Sequence, residues 1–538
     1  MINLFKKFKN DKMARHLCKR TLQSAVLTFA VVTHVKNDNI DGKWNQFKFW
    51  IFNEYTQKVT HSTLMRFGRA TYTVVSVALD YKYSLAGIDF QSSQYYKKKS
   101  ECHLRSAKKF RELCSLNGGL FMKIGQHIGS LEFLFPKEYT ETLKCFQYQA
   151  PASSIDDVRY VIESETNQKI EELFSEFNPE PIGVASLAQV HQAILKDGTS
   201  VAVKVQHRTV KKYALADAKF IEFFVGVASS IFPEFRFQWL VDQIKESIPL
   251  ETDFLQEGRN CEKLANMLKD ISFLKVPKIY WKNSTERVLL MEFCQGGVID
   301  DLDFIKKNNI NRNDISSKLG RLYSEMIFVQ GFIHCDPHPG NILVRLNASG
   351  STEIILLDHG LYQTLPSKTR LIYCDLWQSL INSDINGIKK CSEMLGVGEY
   401  YGLFACMVSG RSWQSIQDGI ERKSITGDEL NEIQNTAVQL VSTITEVLEK
   451  LPREMVLIFK TNDLLRGLDA RLGTKVSFIT MSKCCVRAKF NNDFSKSGFW
   501  YQKMMLYFRF SLNSFKLWIY GIFLTNYYLN SALNMIQI

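Results

Sequence analysis

The chain has no CxxC pair among its 12 cysteines, and its only neighbouring thiols, Cys484 and Cys485, are poorly placed to bridge each other. A zinc framework or a disulfide scaffold is therefore not the expectation, and most of the cysteines read as small core residues. No internal repeat and no low-complexity stretch is present. With 45% hydrophobic and 23% charged residues the composition excludes a disordered chain. At 538 residues it is too long for one ordinary core, which points to a two-lobed unit with extensions.

Acid is scarce at both ends. Lys6, Lys7, Lys9, Lys12, Arg15, Lys19 and Arg20 face Asp11 alone, and seven cations from Lys483 to Lys516 face Asp493 alone. Each end nets +6 of the chain's +12, so residues 21–480 balance. Basic ends favour an anionic membrane surface or import machinery. Nucleic acid is the alternative, but no nucleic-acid-binding motif accompanies the charge, and it is not an expected partner. The basic start turns apolar from Ala25 to Val32, which suits a mitochondrial transit segment, with a solvated tail or a secretory signal as the other readings. Met13 is an alternative start. From Leu517 to Ile538 there is no charge at all, and Trp518 and Tyr520 suit a membrane interface. Asn526, Asn530 and Asn534 make a span marginal, so a membrane-contacting helix is expected ahead of a packed helix or a true span.

The most informative segment is Gly331–Asn341, followed by Leu356-Leu357-Asp358-His359-Gly360. It supplies Asp336, then Asn341 five residues later, then Asp358. Phosphoryl transfer from ATP uses such a trio: one carboxylate orients or deprotonates the acceptor, and the Asn and second carboxylate hold metal ions on the phosphates. Ile342-Leu343-Val344 reads as a strand, Asn347–Ser351 as a turn and Ile354–Leu357 as the return strand, so that a hairpin brings Asp358 back beside Asn341. The alternative, a proline-rich turn with a capping Asn, leaves that hairpin unexplained.

Upstream, Ser200–Gln206 is a short alternating strand carrying Lys204, placed to grip α- and β-phosphates. Before it, Gly183, Val184, Ala185 and Ser186 stand where a kinase has its Gly-rich loop. Only one glycine is present, and each Cβ limits how closely the loop approaches a phosphate. Glu257, in a helical stretch that also holds Glu251 and Asp253, is the expected ion-pair partner of Lys204. Val288–Cys294 reads as an apolar strand leading to an adenine-binding hinge, with Glu292 and Cys294 as its candidate contacts, although the same string fits any buried strand. Cys335 lies inside the catalytic loop and is expected to make the site thiol-sensitive.

Together these segments resemble the UbiB/aarF (ABC1) family of atypical kinases. Met122-Lys123-Ile124-Gly125-Gln126 matches its KxGQ signature, the pair Glu251 and Asp253 matches its ExD signature, and the Ala-containing loop replaces the Gly-rich one, although Val184 and Leu187 depart from the most Ala-rich versions. The likeness runs from about Phe67 to about Cys485. Phe67–Ala70, Val276–Lys278, Gly360–Tyr362 and Thr461–Gly467 are similar to a mitochondrial subgroup.

The resemblance implies an α+β, protein-kinase-like two-lobed fold with a helical N-terminal KxGQ extension. It implies Asp336 as catalytic base, Lys204 and Glu257 positioning ATP or ADP, Asn341 and Asp358 binding Mg²⁺, and Lys123, Gln126, Glu251 and Asp253 gating the cleft. Phosphorylation of proteins is then disfavoured, and ATPase activity or transfer to a lipid-like or small-molecule acceptor is favoured. The expected setting is a mitochondrial membrane, the inner one first, with membrane lipids and mitochondrial membrane proteins as partners. A nucleotide-sensing scaffold without turnover and an aminoglycoside- or choline-kinase-like phosphotransferase are the competing functions. The expected divisions are 1–66 targeting segment and linker, 67–180 extension, 181–296 N-lobe, 297–480 C-lobe and 481–538 basic, aromatic tail.

Overall fold

Alternation of apolar residues builds one lobe, and helical spacing builds most of the rest. The computed structural model describes residues 61–130, 135–147, 150–231, 237–418, 441–474 and 476–536. The expected targeting segment, apart from its last six residues, lies outside them.

The chain enters through α1 (His61–Ser84), α2 (Ser93–Asn117), α3 (Leu120–Ser130) and α4 (Lys137–Leu143). Helix α3 is the KxGQ segment. Gly125 and Gly129 let it sit close to its neighbours, because a Cβ at Gly125 would lie 2.8 Å from the Phe146 ring. Next come α5 (Ile155–Thr166) and α6 (Ile170–Leu173).

The N-lobe sheet has strands β1 (Phe174–Phe177), β2 (Gly183–Val184), β3 (Ala188–Leu195), β4 (Ser200–Gln206) and, later, β6 (Val288–Glu292). The order is β1-β3-β4-β6 with β2 on β3, and every pairing is antiparallel. Val201, Val203 and Val205 fall on one face and bury against Val158, Val161 and Ile162 of α5. Period two then puts Ala202 and Lys204 on the other face. There Ala202 packs with Phe254 and Cys261 of the helix α9 (Phe254–Met267).

Between β4 and α9 lies a helical pair that the sequence reading did not separate, α7 (Arg208–Ile231) and α8 (Gln238–Glu251). Helix α7 packs on α1 and α3 as well as on α8. Arg66 of α1 pairs with Asp217 of α7 through Nε, 2.9 Å from Oδ1, and Phe67 packs among Phe220, Phe223 and Phe224. The extension is thus welded to an N-lobe insert.

The C-lobe continues through β5 (Leu274–Lys275), β7 (Gly297–Val298), α10 (Leu302–Lys307), α11 (Arg312–Ser324), β8 (Phe332–His334), β9 (Ile342–Leu346), β10 (Thr352–Leu356) and β11 (Tyr362–Thr364). Helices α12 (Ser367–Ile381), α13 (Ile385–Met394), α14 (Tyr401–Ser409), α15 (Trp413–Asp418), α16 (Val441–Lys450), α17 (Arg453–Leu472), α18 (Val476–Lys496) and α19 (Trp500–Ile536) complete it.

Three expected boundaries move. Helix α1 already begins at His61, inside the stretch assigned to targeting and linker. The N-lobe begins earlier than residue 181, since β1 and α5 share its sheet and core. The C-lobe ends later than residue 480, because α18 packs along α11 and α12, with Cys485 and Val486 in the main core and Trp377 Nε1 donating to Ser482 Oγ at 3.1 Å.

Candidate active site

Local chemistry shapes the catalytic hairpin. Helix α11 runs into a wide π turn, Glu325–Gln330, that ends at Gly331 with φ +66°. A side chain there would be strained, and a Cβ would also stand 3.0 Å from the Leu365 carbonyl oxygen. The chain then enters β8, which pairs antiparallel with β11. Strands β9 and β10 pair from Leu346↔Thr352 to Ile342↔Leu356, and Asn347 Oδ1 accepts from the backbone of Ser349 and Ser351 to close the turn. This is the expected hairpin. Its open end carries Asn341 and Asp358, and Leu357 N–H donates to Asn341 O at 2.9 Å.

Lys204, Glu257 and Asp358 form a triad of charges in which Glu257 is buried and the Asp358 side chain stays more than a third exposed. Lys204 Nζ donates to Glu257 Oε1 at 2.7 Å and Oε2 at 2.9 Å, and to Asp358 Oδ1 at 3.3 Å. Gly360 N–H also donates to Asp358 Oδ1, at 2.9 Å. Burial pushes Glu257 up to about 7, against the opposing pull of Lys204. Burial would raise Asp358 as well, but Lys204 and the Gly360 N–H outweigh it and hold the carboxyl well below its usual range.

His359 replaces the Phe usual after such an Asp. Its ring stacks on Tyr362 at 6° interplanar angle; Nδ1 meets Tyr362 Oη at 2.8 Å and Nε2 meets Leu356 O at 3.1 Å. His334 is fixed between Tyr323 Oη (2.9 Å) and Asp358 O (2.8 Å). Burial keeps both imidazoles neutral, with His359 lowered to about 3.

Sequence reasoning missed a residue beside Asp336. Lys460 of α17 donates to Asp336 Oδ1 at 3.1 Å. Burial would raise Asp336, yet Lys460 and Lys123 overcome it and keep the carboxylate ionised. Asn341 Nδ2 donates to Asp336 O at 3.2 Å. That bond orients the amide, whose oxygen is the atom able to ligate a cation. Together with the Asp358 carboxylate it gives hard oxygen donors suited to Mg²⁺.

Three of the four residues expected to gate the cleft fall into two contacts. Lys123 Nζ pairs with Glu251 at 2.6 Å, both side chains buried, and Glu251 Oε1 has no hydrogen-bond partner. Gln126 accepts from Ser186 Oγ at 3.0 Å and donates to Phe146 O at 2.7 Å. The loop after Gly183 and Val184 therefore leans on α3, and Ala185 N–H is used by Ala188 O at 2.8 Å.

Asp253 joins neither contact. It caps α9, accepting from Leu255 N–H and Gln256 N–H. The single helical stretch expected across Glu251, Asp253 and Glu257 is in fact two helices broken at Thr252, with Pro249 in the last turn of the first.

The hinge candidates sit at the end of β6. The Glu292 side chain is engaged by Lys275 at 2.7 Å and by the Lys278 N–H at 3.1 Å, and Cys294 is buried. Cys335 corrects an expectation. It is fully buried, its Sγ donates to Ile333 O, and burial pushes the thiol up to about 12, so it is not a reactive group.

Residues 145–392 match the family model described as the ABC1 atypical kinase-like domain. The mouse "AarF domain-containing protein kinase 1" is 48% identical over 84% of this chain and 87% of its own. The chicken protein of that name is 48% identical over 86% and 90%. The chain belongs to the ABC1/AarF family of atypical kinases. A Drosophila melanogaster member, "AarF domain-containing kinase 1", is 45% identical over 85% of this chain and 90% of that one. Membership of the ABC1/AarF family accords with the two-lobed kinase-like fold seen here, with its helical extension.

Proposed function

We propose that this chain is an ATP- and Mg²⁺-dependent atypical kinase or ATPase. It works on a lipid-like or small-molecule acceptor at a mitochondrial membrane, the inner one first, in support of lipid or ubiquinone homeostasis and mitochondrial organisation. The observation that carries the chemistry is the contact of Lys204 with both Glu257 and Asp358, at the same end of the hairpin as Asn341. Lys204 is held where it can meet α- and β-phosphates. Asp336 lies at the next step of the loop, ionised, to orient an acceptor hydroxyl or water and take its proton. Asn341 and Asp358 would hold Mg²⁺, which would supply positive charge against that developing on the phosphates. The buried Lys123–Glu251 pair and the Gln126–Ser186 contact hold α3 over the cleft, which disfavours a protein substrate. The basic, aromatic ends support the membrane setting.

The deciding experiment is Mg²⁺-nucleotide binding by calorimetry with Asp358→Asn. Binding should fall below detection, and unchanged affinity would count against the reading. A nucleotide-sensing scaffold is the second reading, favoured by the closed gate. Cellular rescue by Asp336→Ala would support it.

A further inference from the structure

Helix α19 is apolar on the side that faces away from the protein. Tyr501, Met504, Met505, Phe508, Leu512 and Phe515 follow at steps of one, three and four, which places them on one stripe at 3.6 residues per turn. All six are exposed, Met504 at 62%, Phe508 at 71% and Phe515 at 56%. The opposite face is already used: Phe510 stacks on Phe490 at 4.6 Å, and Leu517 and Asn513 are buried. An ordinary surface helix buries its apolar face and wets the other. This one keeps an apolar face clear of the other described residues, and an exposed stripe of that length marks an interaction site.

The charge on the helix selects the occupant. Trp500–Ile536 contains Lys503, Arg509 and Lys516 and no acidic residue. By helical angle Arg509 and Lys516 border the stripe; Lys516 Nζ also donates to Asn382 Oδ1 at 3.2 Å. A second copy would bring the same cations against these. An anionic bilayer complements them, and the exposed Trp500 and Trp518 suit the headgroup layer. Among the described residues no helix is long and apolar enough to cross a membrane.

We infer that α19 is an in-plane membrane anchor, with the Tyr501–Phe515 stripe in the acyl boundary of an anionic bilayer and Arg509 and Lys516 at its phosphates. The inference rests on the membrane part of the proposed function and is independent of its chemistry.

The test is flotation of the full chain with phosphatidylcholine vesicles, with and without phosphatidylglycerol. The wild type should float with the anionic vesicles. Phe508→Ser with Leu512→Ser should weaken partition about tenfold or more, and Arg509→Gln should weaken it only where the lipid is anionic. ATP hydrolysis without vesicles, read in parallel, should be unchanged in these variants. Wild-type partition by the double serine variant would overturn the assignment of this face while leaving a membrane role intact. No flotation of the wild type would overturn both. A dimer detected by light scattering and abolished by the serine pair would assign the stripe to a second copy and overturn the inference.

Discussion

Lys460 reaches across 124 positions of sequence to place its ammonium 3.1 Å from Asp336 Oδ1. The lysine is buried on α17 and its charge is paired with that carboxylate. In the phosphoryl transfer proposed above, Lys204 and Lys460 would stand as two fixed cations, one beside Asp358 and one beside Asp336.

Lys460→Met should therefore lower kcat about 100-fold with little change in KM for ATP. Lys460→Arg should recover part of the rate. Steady-state hydrolysis checks this, with circular dichroism to confirm the fold. Equal loss in both variants with an altered fold would make the lysine merely structural.

The Lys123–Glu251 pair should be a strong coupling. Lys123→Met alone strands a buried carboxylate and should cost about 3–5 kcal/mol. The double variant Lys123→Met with Glu251→Leu should recover most of that stability. A double-mutant cycle by urea unfolding reads the coupling directly, and additive single effects would show that the contact holds little.

Acid should weaken the fold through its neutral buried imidazoles. A histidine lowered to about 3 in the fold, as His359 is, stays uncharged while the unfolded chain takes up a proton near pH 6.5. Its contribution is complete above pH 6.5 and is lost as pH falls towards 3. His359→Phe keeps the stack on Tyr362 but loses two hydrogen bonds, so its Tm should be lower at pH 7.5. The gap to the wild type should narrow at pH 5.5. A constant gap would remove His359 from the acid response.

Cys335 should survive thiol reagents. Mass spectrometry after brief alkylation of the native protein should find Cys335 unmodified and ATP hydrolysis intact, with modification only after unfolding. Rapid native labelling at Cys335 would contradict its burial.

The catalytic hairpin was legible because its signals are local. Asn347 and Gly350 write the turn, and apolar alternation writes the strands. Lys204 was legible for the same reason, as the one charge on a strand of valines. The break at Thr252 left a signal that went unread: Pro249 ends one helix, and Asp253 with Gln256 three residues on is a helix-start pattern. Lys460 left none. A lysine in a long helix looks the same whether it meets water or a catalytic carboxylate, and only tertiary packing decides. The α7–α8 insert was hidden for a related reason, since helical periodicity shows that a helix exists but not what it docks against.

That insert makes the position of the extension a matter of leverage. Helix α7 is bolted to the extension through Arg66 and Phe67, and α8 ends at Glu251, two residues from the cap of the helix that carries Glu257. A displacement of the extension would travel down α7 and α8 to the pair that orients Lys204. For the nucleotide binding proposed above, uncovering the cleft and setting its grip would then be linked equilibria, so that whatever lifts the extension would also tune affinity for nucleotide, and nucleotide would bias the extension by the same free energy.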